Sequence, residues 1–219
     1  MSESLQCQPQ LASLVRPIAE NLGLKPLFAD IDLTFPAKAY SSITAIYSPH
    51  KQSVSYQLVD HILHRERLFT KPSELAQDLQ ERAQVEVNRR LLDLPTGAIY
   101  NFRFNTMGEF IEQQSGVTEE SLWTLDITVI SALENAVRGL FDLPLGDSAA
   151  ILENWRTLTF KVDPKLDMQR PYLHLFAHNP RYKIYKFTSH SGFMSVSGKG
   201  NLTDSIIHGV DYLEGEISE

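Results

Sequence analysis

Residues 119–141 read EESLWTLDITVISALENAVRGLF. Leu122, Leu125, Val129, Leu133, Ala136, Val137 and Leu140 recur there at the three-and-four spacing of one helical face. Trp123, Ile127 and Ile130 widen the stripe, so a helix here must be covered on more than one side. Thr118 suits the N-cap, and Glu119 and Glu120 suit the positive end of the helix dipole. At ~1.5 Å per residue such a helix spans roughly 34 Å, about the width of a domain. The spacing therefore predicts one long central helix over 119–141.

Outward from that helix the pattern changes to period two. Leu27, Ala29, Ile31 and Leu33 alternate with Phe28, Asp30, Asp32 and Thr34, and residues 38–47 and 53–59 alternate likewise around a turn at 48–52. Residues 98–104 read as another strand, and 156–162, 171–178, 181–189 and 193–197 complete the set. Helical spacing returns at 11–22, where Pro17 should kink the helix and Gly23 end it. It returns again at 73–92, at a short helix over 148–155, and in a last helix capped by Thr203. Strands meandering between isolated helices predict an α+β fold with antiparallel sheet, a long central helix and shorter N- and C-terminal helices. The 219 residues are expected to form a single domain, with a soft division at the Pro/Gly break 143–147.

Composition excludes several classes. Hydrophobic residues at 42% and charged residues at 21% are ordinary for a globular chain and rule out wholesale disorder. A lone cysteine, Cys7, closes no internal disulfide and builds no zinc site, which points to a cytoplasmic protein. Residues 1–10 lack the basic and apolar regions of a signal peptide, and no apolar stretch approaches the ~20 residues of a membrane span. No membrane partner is expected.

The net charge of −7 conceals an asymmetry. Residues 156–200 hold eight bases against two acids, while 201–219 hold five acids and no base. The basic segment is also rich in aromatic rings. Rings that stack on bases and cations that neutralise phosphates are what single-stranded nucleic acid requires. The candidate ligand-binding residues are Arg170, Tyr172, His174, Arg181, Lys183, Tyr185, Lys186 and Lys199. The reading is a non-catalytic binding or accessory protein, free of cofactor and metal, holding RNA, single-stranded DNA or a phosphorylated ligand on one sheet face. Against it stands internal neutralisation by Asp204, Asp211 and Glu214.

Chemical motifs are weaker. Asp30 and Asp32, two apart on a strand, share a face as Mg²⁺ carboxylates do, and His174, His178 and His190 are the other candidates for a metal-dependent hydrolase or nuclease. On a strand, however, His174 and His178 lie ~13 Å apart, too far for one ion. His61 and His64 have no recognised ligand spacing. Gly198-Lys199-Gly200 before the last helix could cradle a phosphate but departs from a P-loop in spacing and in its final residue. A third reading makes the wide apolar helix an interface in a homo-oligomer.

Overall fold

The computed structural model describes residues 4–31 and 34–216. Strand β1 (Ser4–Cys7) and β2 (Leu27–Asp30) form a small parallel sheet, joined by a 3₁₀ turn and α1 (Ala12–Asn21). The remaining strands are β3 (Ala39–Tyr47), β4 (Ser53–Ser55), β5 (Val59–His64), β6 (Arg67–Pro72), β7 (Ala98–Phe104), β8 (Phe110–Ser115), β9 (Trp155–Lys161), β10 (Lys183–Lys186) and β11 (Ser191–Ser197). They build one antiparallel sheet in the order β10-β11-β9-β6-β5-β3-β7-β8, with β4 added on β3. The helices are α2 (Gln77–Leu91), α3 (Thr124–Ile127), α4 (Ala132–Leu140), α5 (Gln169–His178) and α6 (Leu202–Leu213).

Alternation along the strands explains the layers. Ile43, Ala45 and Tyr47 of β3 and Tyr100, Phe102 and Phe104 of β7 pack on Ala83, Val87 and Leu91 of α2. The same face continues into Leu158, Phe160, Met194 and Val196, which α6 covers with Ile206, Val210 and Leu213. On the opposite face Ile46, Ile99, Trp155 and Phe193 meet α1, α3 and α4 through Val15, Ile127, Leu133 and Val137. Helices thus cover both sides of the sheet. Gly192 permits the last pairing, because a Cβ there would meet the Tyr185 carbonyl at 2.0 Å.

The long central helix does not exist. Residues 119–141 break into a 3₁₀ turn (Glu119–Ser121), the single turn α3, an extended stretch and α4. Thr128 is extended (φ −116°, ψ 160°), and the segment 127–130 bonds to 147–151 through Val129 N–H to Ala149 O and Ile151 N–H to Ile127 O. The run Ile-Thr-Val-Ile at 127–130 is β-branched throughout and loses rotamer freedom in a helix. Ser131 then starts α4 afresh, its hydroxyl accepting from Glu134 N–H at 3.1 Å. Residues 147–151 are consumed in this pairing, so no helix forms over 148–155. Much of the apolar stripe is spent within the chain, where Leu122, Trp123, Ile127, Leu133 and Val137 are buried, while Val129 is 51% exposed.

A second correction concerns 171–178, which is the helix α5 and no strand. Aromatic and histidine residues two and four apart satisfy both periods, and Pro171 fits the first turn of a helix. The last helix is capped by Asn201, not Thr203, its side-chain oxygen accepting from Asp204 N–H at 3.2 Å. No helix among the described residues is long and apolar enough to cross a membrane.

Leu133 of α4 is fully buried between the sheet and α1. Leu133→Ala should cost about 2–5 kcal/mol through lost burial and a cavity. Urea unfolding checks this, and a midpoint equal to the parent's would contradict the packing described.

Candidate functional site

The face of the sheet that carries Ile46 and Ile99 turns polar along β3, β5 and β7. Arg103 and Glu120, both 0% exposed, form a two-point ion pair at 2.9 and 3.2 Å. Arg103 also donates to Glu112 at 2.7 Å and to the Thr34 carbonyl at 2.8 Å. From Glu120 a chain of hydrogen bonds runs back into the sheet. Thr118 Oγ1 donates to it, Asn101 Nδ2 donates to Thr118, and Thr44 donates to Asn101. Beside this chain His61 is held between Ser42 at 2.7 Å and Thr70 at 3.0 Å. These buried polar groups are matched among themselves, as burial demands.

At the border of this network lies a cleft of about 660 Å³. One side is the N-terminal segment with Gln8 and Gln10, the other is β9 with Lys161 and the 187–191 turn with His190. Glu119, next to the buried Glu120, reaches its floor. Its N–H donates to Gln8 Oε1 at 2.8 Å, and its carboxylate accepts from Gln10 Nε2 at 3.1 Å. Burial raises the Glu119 carboxyl above the usual range, against the Gln10 hydrogen bond and the charge of Lys161. Lys161 pairs with Glu66 at 3.3 Å, and both side chains are mostly exposed. Phe35 and Phe187 add apolar wall. A cation and a carboxyl of raised pKa therefore face one cavity, an arrangement suited to an anionic ligand that also carries a hydrogen-bond donor.

The residues singled out from sequence do not share one face. Lys183 and Tyr185 both turn to Asp126 of α3, Lys183 at 3.0 Å. Lys186, on the same strand, turns the opposite way, its ammonium 4.1 Å from the centre of the Tyr172 ring. Arg170, Tyr172 and His174 lie on α5, Arg181 bonds the Lys199 carbonyl, and Lys199 sits in the exposed loop before α6. The acids of α6 do not neutralise this set. Asp211 and Glu214 are engaged by Arg67, a β6 residue outside the basic segment.

The metal readings also change. His174 and His178 are one helical turn apart, with ring centres at 4.1 Å, and His174 stacks on Tyr212. His190 lies apart at the cleft. Asp30 ends β2, and Asp32 falls outside the described residues. Among the described residues no group of three or more His, Cys, Asp or Glu is placed to hold a metal. Arg103, Glu120 and Glu119 escaped the sequence reading. Ile99, Asn101 and Arg103 alternate with Tyr100, Phe102 and Phe104, and that alternation reads as the wet face of a half-buried strand.

No family model matches the sequence, and no curated protein matches it. Solved structures match the fold. The N5-carboxyaminoimidazole ribonucleotide synthetase of Thermus thermophilus superposes with a TM-score of 0.63 at 16% identity, covering 85% of this chain and 52% of that one. Glycinamide-RNase-transformylase T of Mycobacterium tuberculosis gives 0.63 at 12%, covering 85% and 53%. The N5-carboxyaminoimidazole synthase of Aspergillus clavatus, in complex with ADP and 5-aminoimidazole ribonucleotide, gives 0.62 at 12%, covering 84% and 53%. The chain spans about half the length of these proteins. At such identities the likeness is one of fold alone. The proteins of this fold named above are a synthetase, a synthase and a transformylase, which counts against the reading of a non-catalytic accessory protein.

His61 supplies a pH test of the buried network. Burial lowers its imidazole from 6.5 to about 4, so the folded protein keeps it neutral. An unfolded chain takes up the proton near 6.5. The resulting stability is complete above 6.5 and is lost as pH falls toward 4, by about 3 kcal/mol. Urea unfolding at about pH 7 and pH 4 should show His61→Gln losing less over that interval than the parent. Equal losses would contradict a neutral buried imidazole.

Proposed function

We propose that the protein is an enzyme of the ATP-dependent synthetase kind, acting on a phosphorylated, nucleotide-like small molecule held in the cleft between Lys161 and Glu119. The observation that carries this is the pairing of cation and buried carboxyl in one 660 Å³ cavity. The likeness to synthetases, one of them solved with ADP and a ribonucleotide, supplies the ligand class.

Each group has a task in this reading. Lys161 exchanges its exposed partner Glu66 for a ligand phosphate, which costs little because an exposed ion pair contributes only about 0–1 kcal/mol. Phe35 and Phe187 take the ring or sugar. Glu119, its carboxyl raised above the usual carboxylate range by burial, faces the ligand's amino or hydroxyl group and can exchange a proton with it. A divalent cation is the usual carrier of phosphoryl groups and needs free carboxylate oxygens. Glu120 spends both its oxygens on Arg103 and Thr118, and among the described residues no group of three or more His, Cys, Asp or Glu is placed to hold such an ion, so these residues do not fit it. The role assigned here is recognition and proton handling by this chain's own side chains.

Calorimetric titration with ATP, ADP, AMP and ribose 5-phosphate tests the reading. At least one should bind, and at a hundredfold excess over its Kd it should stabilise the fold by about 2.7 kcal/mol. Lys161→Ala should weaken that ligand about tenfold or more, while Glu119→Gln should alter the pH dependence of binding. If none of the four binds at millimolar concentration, or Lys161→Ala binds as the parent does, the proposal is wrong.

A further inference from the structure

Gln8 and Gln10 stand on the N-terminal wall of the cleft, and each carboxamide is held by one of its two ends. Gln8 Oε1 accepts from the Glu119 N–H at 2.8 Å, so Gln8 Nε2 faces the other way as a donor. Gln10 Nε2 donates to Glu119 Oε1 at 3.1 Å, which leaves Gln10 Oε1 and Glu119 Oε2 as acceptors. These three atoms have no partner among the described residues, and none of them is shut off from solvent. Gln8 as a whole is only 7% exposed, so its donor opens inward to the cleft. The wall is also fixed by its backbone. The Gln8 N–H donates to the Val117 carbonyl at 3.0 Å, and its own carbonyl accepts from Leu11 at 2.9 Å. Ser13 ties this wall to the opposing turn, its hydroxyl donating to the Phe187 carbonyl at 2.9 Å. The cleft therefore presents one donor and two acceptors of settled polarity, with Phe35 and Phe187 as ring contacts.

Given the reading of the cleft as a nucleotide site, we infer that Gln8, Gln10 and Glu119 select a ring with an exocyclic amine beside a ring nitrogen, and reject its oxo counterpart. The ring nitrogen accepts from Gln8 Nε2, and the two N–H groups of the amine go to Gln10 Oε1 and Glu119 Oε2. Carboxamides pair with such an edge through both their atoms, and carboxylates accept from ring amines. An oxo ring offers a carbonyl and a single N–H. It leaves one of the two acceptors without a donor and sets oxygen against oxygen, and an unmatched polar group in a closed site is what rejects the wrong ligand. Burial raises the Glu119 carboxyl above its usual range, so the ionised group gains most from a ligand that brings N–H donors. The carboxamide wall and Lys161 lie on opposite sides of the cleft, so the base and the phosphate of one nucleotide fall to different groups.

Calorimetry on the full chain with adenosine against inosine, and cytidine against uridine, tests the assignment. Nucleosides carry no phosphate, so the ratio within a pair does not depend on Lys161. At least one amino nucleoside should bind, about tenfold tighter than its oxo counterpart. Glu119→Gln should bring that pair within about twofold, because a carboxamide there can donate to a carbonyl. Gln8→Met removes the donor to the ring nitrogen and should weaken the amino nucleoside about tenfold. Circular dichroism checks the fold of each variant, and the ratio in the parent protein stands as a test even where a variant fails to fold. The inference is overturned if that ratio is below about threefold, if neither amino nucleoside binds at millimolar concentration, or if folded Glu119→Gln keeps the parent's ratio. Should AMP and IMP bind alike while Lys161→Ala weakens both, only the base reading falls. Should adenosine outbind inosine while Lys161→Ala leaves AMP unchanged, only the phosphate reading falls.

Discussion

Arg103 and Glu120 are taken completely out of water, and the polar half of the sheet depends on their meeting. Removing two charges from water costs several kcal/mol per ion, and their attraction offsets this only when the geometry is good and the remaining hydrogen bonds are made. Both conditions hold. The pair is two-pointed, Thr118 supplies Glu120 with a further donor, and Glu112 and the Thr34 carbonyl engage the rest of the guanidinium. The interaction therefore fastens three pieces of chain to β7: the turn at 118–120, strand β8 and the strand connection at Thr34.

That fastening has a consequence for the cleft. Glu120 turned inward leaves its neighbour Glu119 pointing the other way, toward Gln8, Gln10 and the cavity. The same short turn thus anchors the core with one carboxylate and presents the next at the candidate site. Because the turn is held by a buried ion pair, Glu119 is preorganised, the condition under which a single carboxyl can recognise a ligand without a large ordering cost. The apolar face under α6 reaches the cleft through Phe160 and Val162, which flank Lys161.

Legibility from sequence followed the strength of each periodic signal. Helices α2 and α6 and strands β3 and β9 were readable because their apolar residues fit one period only. The stretch 119–141 was misread because a count of apolar positions ignores what kind they are. Four β-branched residues at 127–130 followed by Ser131 and Glu134 spell an extended break and a fresh N-cap. Strands β6 and β8 were missed because Arg67 and Lys71 in one, and Glu112 to Gln114 in the other, mask the alternation. At the sites, Lys186 and Tyr172 were visible among the basic and aromatic candidates, but the split of β10 residues between two faces needs the sheet itself. Arg103 and Glu120 could not be paired from sequence, since seventeen positions and a hairpin separate them.

The claim that this buried pair anchors the fold's polar half is tested most directly by a double-mutant cycle. Arg103→Met, Glu120→Leu and the combination would be compared with the parent by urea unfolding. Each single change strands a buried charge and should cost about 3–5 kcal/mol, while the double change should cost much less than their sum. Additive costs, or single variants as stable as the parent, would contradict the account.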